Sequence, residues 1–119
     1  MMIGKKACGN CKNPCQKCRA QRIGELNAEA MAALNRSEME TAEERLRAAL
    51  EHAEAGDMPI HAANIHNGLA LLFSANGDLD RALTHYAEAL ELADGRIGGD
   101  HALLQALHRN LARTVMAEA

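Results

Sequence analysis

The stretch that decides the fold is Gly77-Asp78-Leu79-Asp80-Arg81-Ala82-Leu83-Thr84-His85-Tyr86-Ala87-Glu88-Ala89-Leu90-Glu91-Leu92. Ala82, Tyr86, Ala89 and Leu90 fall at i, i+4, i+7 and i+8, which places them on one face of a helix. Upstream, Leu69, Ala70 and Phe73 form a similar face. Small residues such as Ala70 and Ala82 let two antiparallel helices approach closely, while Phe73, Tyr86 and Leu90 fill the space around them. Between the two faces, Asn76-Gly77-Asp78 is a tight break, with Asp78 suited to cap the second helix.

The pattern recurs along the chain. Forty positions earlier, Ala42, Leu46, Ala49 and Leu50 answer Ala82, Tyr86, Ala89 and Leu90. Forty-two positions later, Asn67-Gly68-Leu69-Ala70 returns as Arg109-Asn110-Leu111-Ala112, with His66 matching His108 and Phe73 matching Val115. Ser37-Glu38-Met39-Glu40 reads as a capping box, and Asp57-Met58-Pro59 and Gly98-Gly99-Asp100 as further helix starts. The spacing predicts five helices, over residues 22–35, 38–55, 59–75, 79–94 and 100–117. Composition agrees. The 119 residues include 24 Ala and 15 Leu, but only Phe73 and Tyr86 as aromatics, and the strand-formers Val, Ile, Thr and Tyr total ten. That excludes a sandwich or barrel and leaves an all-α chain.

From Ala63 to Leu92 the sequence resembles a tetratricopeptide repeat. Leu69, Ala70, Phe73, Gly77-Asp78, Ala82, Tyr86, Ala89 and Leu90 stand where that family places its signature residues. The unit at about 23–56 has Glu29 where Leu is usual and Ser37 for the Gly. The resemblance implies an α-solenoid of antiparallel helix-turn-helix units, about 2.5 repeats over residues 23–119, with the last helix as an unpaired cap. It also implies a concave groove lined by first helices that receives a protein or peptide partner. The family's groove positions map to Asn27 and Met31, then Asn67, Leu71 and Ser74, then Arg109, Arg113 and Met116.

Arg109 and Arg113 are i, i+4 neighbours and project from one helix face. Together they could hold a carboxylate by charge-assisted hydrogen bonds, or simply solvate a terminal helix. This resembles half of the carboxylate clamp of chaperone-binding members. The other half departs from that pattern, since Asn27 and Met31 replace a basic and an amide residue and Gly68 replaces an Asn. His66 and His108 are expected to pack, and no two histidines form an i, i+4 pair that would hold a metal. Gly95-Arg96-Ile97-Gly98-Gly99 lacks the Lys-Ser/Thr of a phosphate loop, and no nucleophile–base arrangement is visible, so no enzymatic role is expected. With so few repeats, self-association is a further possibility.

Residues 1–22 differ from the rest. They carry Lys5, Lys6, Lys12, Lys17, Arg19 and Arg22 with no acid, a net +6, whereas residues 23–119 hold seven basic and sixteen acidic residues, a net −9. All four cysteines lie in this head, as Cys8-x2-Cys11-x3-Cys15-x2-Cys18. Two Cys-x-x-Cys pairs supply the four thiolates of a tetrahedral zinc site, although the three-residue spacer is short. An iron–sulfur cluster, which accepts compact spacings, and thiol redox chemistry remain alternatives. Gly9, Asn10 and Pro14 disfavour a helix through the head. Six cations would attract nucleic acid, but the head has no aromatic for base stacking and the acidic body opposes it. No apolar run approaches the ~20 residues of a membrane span, and Met1-Met2-Ile3-Gly4-Lys5-Lys6 does not open a signal peptide. The expectation is a soluble, cytoplasmic, non-enzymatic adaptor with a zinc-binding head, or else an iron–sulfur or thiol redox accessory protein.

Overall fold

Three helix ends close on the same turn. The computed structural model describes residues 15–118, which form α1 (Gln16–Asn35), α2 (Met39–Ala55), α3 (Pro59–Ala75), α4 (Leu79–Ala93) and α5 (Ala102–Glu118). After α1, α2 and α3, the N–H groups of Glu38, Met58 and Asp78 donate to the carbonyls of Ala33, Ala53 and Phe73 at 2.8, 2.9 and 2.8 Å. These bonds satisfy carbonyls that a helix end otherwise leaves without partners. Each closure needs a left-handed residue at its centre, supplied by Ser37 (φ 63°), Asp57 (φ 53°) and Gly77 (φ 84°). The three turns are spaced twenty residues apart, so a hairpin takes forty, as the sequence repeat requires.

The turns correct one expectation. Ser37 does not open a capping box, because it must take the left-handed position that Gly77 fills in the next unit. Glu38 is the N-cap of α2 and makes no side-chain cap bond; its carboxylate pairs with Arg36 at 3.2 Å. Asp78 does cap α4, accepting from the Arg81 N–H at 3.2 Å. The first helix also begins earlier than expected, at Gln16 rather than residue 22. Its N-cap is Cys15, extended at φ −72° and ψ 170°, with Sγ accepting from the Cys18 N–H at 3.5 Å. A sulfur cap just after Pro14 starts the helix without Ser, Thr, Asp or Asn. At the other end α5 starts at Ala102, not 100, because Gly98-Gly99-Asp100 stays a turn.

Packing explains the alanines. Ala42, Ala49, Ala53, Ala63, Ala70, Ala82 and Ala89 are fully buried, with Leu46, Ile65, Leu69, Tyr86 and Leu107 as the largest enclosed side chains. A Cβ on Gly68 would stand 3.1 Å from Leu46 Cδ2 and 3.5 Å from Met31 Cε, so α1 and α2 both close on α3 there. Burial pushes the Tyr86 phenol pKa up, partly offset by its hydrogen bond with Thr114 and the charge of Arg113. Sequential helices pack as antiparallel neighbours. In addition α1 touches α3 and α3 touches α5, whereas α2 and α4 do not touch. First helices therefore form the tighter, inner layer of a curved slab measuring 54 × 34 × 20 Å. Among the described residues no helix is long and apolar enough to cross a membrane.

The shared turn predicts opposite signs for two substitutions. An L-residue in the left-handed region carries a penalty of roughly 1–2 kcal/mol that glycine escapes. Gly77→Ala should thus destabilise by about 1 kcal/mol, while Ser37→Gly should stabilise by about 0.5–1 kcal/mol. Denaturant unfolding of the two variants checks this; stabilisation by Gly77→Ala would contradict the shared geometry.

Candidate functional site

The inner layer gathers the groove positions that the sequence singles out. Ile60, Asn64, Asn67, Leu71 and Ser74 recur at helical spacing along one side of α3. Ile23, Ile60, Asn64 and Leu103, with His61 and His101, line an open hollow of about 270 Å³ where α1, α3 and α5 converge. Asn27, Asn67, Leu71 and Ser74 are half-buried along this layer. Met31 reaches Gly68 and serves packing between α1 and α3. Asn67 is also committed in part, since its Oδ1 accepts from Asn110 Nδ2 at 3.1 Å. That bond ties α3 to α5, and Thr114 Oγ1 continues it by donating to the Asn110 carbonyl at 2.9 Å.

Arg109, Arg113 and Met116 are exposed on α5, Met116 by 75%. Among the described residues neither arginine forms an ion pair, whereas Arg22, Arg36, Arg45, Arg47 and Arg81 each pair with an acid. Two unpaired guanidinium groups one helical turn apart, beside the Asn67–Asn110 bond, can together grip a carboxylate.

Of the head's cysteines, Cys8 and Cys11 lie outside the described residues. Cys15 and Cys18 sit on the first turn of α1, and that turn rests on the body. Gln16 Nε2 donates to the Gly56 carbonyl at 2.9 Å, and Arg19 Cδ stands 2.6 Å from where a Gly56 Cβ would lie. The junction between α2 and α3 thus receives the end of the basic head.

The histidines divide. His66 is buried in the helix packing, as expected, but His108 is exposed. The repeat match equated them, yet among the described residues nothing covers that side of α5, where Val115 is also 49% exposed. A cluster the sequence reading missed surrounds His66. His66 Nδ1 lies 2.9 Å from His85 Nδ1, and Glu88 Oε1 is 3.4 Å from each. Only its His85–Glu88 portion, at i, i+3, is local enough to read from sequence. Desolvation is the main cause that lowers the pKa of both imidazoles below the usual 6.5, while the neighbouring charges act in both directions. For His66, Glu88 and Glu54 oppose the shift and Arg47 reinforces it; for His85, His66 and Arg47 reinforce it while Glu88 and Glu43 oppose it.

Residues 61–118 match the family model described as tetratricopeptide repeat. No curated protein and no solved structure matches the chain. The match spans most of α3 and all of α4 and α5, and the described residues fold as an all-α helical repeat similar to that family's.

The two lowered histidines set a pH dependence. In the unfolded chain they take up protons near 6.5, and in the folded chain only at lower pH. Their stability contribution is therefore full above the unfolded value and is lost as pH falls below it. Thermal unfolding with a chelator present should show the midpoint dropping from about pH 7.5 to about pH 5, and dropping less in His85→Gln. Equal slopes for both proteins would show that the pair does not titrate with folding.

Proposed function

We propose that the protein is a non-enzymatic adaptor whose inner helical layer binds a protein or peptide partner through an acidic group. The observation that carries this is the pair Arg109 and Arg113, exposed at the edge of that layer and without acidic partners among the described residues. The tetratricopeptide-repeat match supports an interaction role in general, and the chemistry of the arginines narrows the partner to one presenting a carboxylate, such as a peptide C-terminus. Ile23, Ile60 and Leu103 offer apolar contact in the hollow, about two to three helical turns along α5 from the arginines, which would take a side chain farther along the same peptide.

The head is the second part of the proposal. Cys8, Cys11, Cys15 and Cys18 would hold zinc as a tetrathiolate, leaving the site at a net −2 that Lys12, Lys17, Arg19 and Arg22 offset. Cys15 at a helix N-terminus fits this assignment, because its sulfur already accepts a backbone N–H there, as a metal-bound thiolate would. An iron–sulfur or thiol redox role is the alternative for the same four residues. Zinc in the head would fasten residues 1–15 to the α2–α3 turn through Gln16 and Arg19.

Two measurements test the parts separately. Peptides with a free C-terminal carboxylate should bind more tightly than their amidated twins. Arg113→Ala should weaken that binding by about 1.5–3 kcal/mol, or roughly tenfold to a hundredfold. Equal binding of both peptide forms would sink the carboxylate reading. Protein purified without oxygen should be colourless and contain zinc that Cys11→Ser releases; a brown, iron-containing protein would replace zinc with the cluster.

A further inference from the structure

Away from the inner layer, α2 and α4 stand apart and leave a trough floored by α3. His66 rises from that floor, and His85 and Glu88 come from the α4 wall. We propose that His66 Nδ1, His85 Nδ1 and Glu88 Oε1 form a three-ligand site for a divalent transition-metal ion, zinc by its donor set, separate from the four cysteines.

Geometry is the first argument. The three atoms lie 2.9, 3.4 and 3.4 Å apart. A tetrahedral zinc ion held at about 2.0–2.1 Å by each ligand sets neighbouring ligand atoms about 3.3–3.4 Å apart. Two edges already have that length, and the third needs to open by a few tenths of an ångström. Two imidazoles and a carboxylate also suit zinc among common divalent ions, since magnesium and calcium take oxygen ligands.

The second argument is hydrogen bookkeeping. With both rings neutral, at most one hydrogen lies between the two Nδ1 atoms, and the Glu88 oxygen brings none. Three electron-pair donors therefore face one point with a single proton to share. A cation satisfies all three; the displaced imidazole proton moves to Nε2 of its own ring, so no net proton is released.

The third argument is preorganisation. The His85 ring is sandwiched, stacking on His66 with centroids 5.2 Å apart and on Phe73 at 5.5 Å, the latter nearly parallel at 8°. Arg81 covers Phe73 at 5.5 Å. The histidine side chains are only 10% and 12% exposed, while Glu88 is 48% exposed, so an ion enters past the carboxylate. A fourth position then faces the open trough for water or a partner's side chain. From α2, Glu54 acts electrostatically on His66 and Glu43 on His85, and Arg47, which acts on both rings, is held by Glu43 at 3.1 Å.

The test uses the full chain carrying Cys8→Ser, Cys11→Ser, Cys15→Ser and Cys18→Ser, titrated with zinc chloride and followed by calorimetry and imidazole nitrogen NMR. Zinc should shift the Nδ1 resonances of His66 and His85 and leave His61 unmoved. Removing a group that merely orients a metal ligand costs about 10–100-fold in affinity, so Glu88→Gln should weaken binding at least tenfold. Unmoved His66 and His85 resonances at millimolar zinc overturn the site, whatever metal the cysteines hold. Should the cysteine-free chain fail to fold, the same resonances are compared in the native chain and in Glu88→Gln, whose exposed position spares the fold. Zinc-induced shifts that are identical in those two proteins also overturn it.

Discussion

Every helix pair in this protein depends on close backbone approach across alanine. Where Ala42, Ala49, Ala82 and Ala89 meet α1, α3 or α5, a longer side chain would push the axes apart and break the antiparallel hairpin. Gly68 carries the constraint to its limit, since even one methyl there would crowd Leu46. With so little volume per alanine, a few larger residues complete the packing: Leu46 in the first hairpin, and Ile65, Leu69 and Tyr86 in the second. The scarcity of aromatics is thus a consequence of thin seams between helices.

Much of this was legible in the sequence because it is local. The Ala82–Tyr86–Ala89–Leu90 face and the Asn76-Gly77-Asp78 break are both short-range patterns, and with their counterparts along the chain they fix the repeat, its forty-residue length and eight of the ten helix boundaries to within a residue. What escaped the reading depends on context that no window contains. Ser37 looks like a capping serine until the turn forces it left-handed. Cys15 is not among the residues known as caps, so α1 was expected to begin six residues late. His108 copies His66 in sequence, yet none of the described helices covers it. His66 and His85 are nineteen residues apart and meet because α3 and α4 fold back on one another.

The two layers have different chemistry. The inner one presents amides, apolar side chains and, at its end, two arginines without acidic partners among the described residues. The outer one is laced with ion pairs, such as Arg47–Glu43 at 3.1 Å, and holds the His66–His85–Glu88 cluster in its trough. Exposed pairs of that kind add little stability, so their effect is mainly on which charges a visitor meets. A peptide at the inner layer and an ion in the outer trough would occupy opposite faces of α3 and would not compete for side chains.

The evenly spaced turns have an implication for how such a chain changes over generations. Because Ser37, Asp57 and Gly77 occupy equivalent backbone positions, cutting after one turn and rejoining two turns later restores the same geometry at the splice. Forty-residue blocks are therefore interchangeable parts, whose gain or loss lengthens or shortens the slab without disturbing the hairpins on either side. Insertions of other lengths within a helix rotate its alanine seam off the neighbour, whereas the connection between α4 and α5 already takes up a forty-two-residue offset. The spacing of three left-handed residues is in this sense a reading frame written in the backbone.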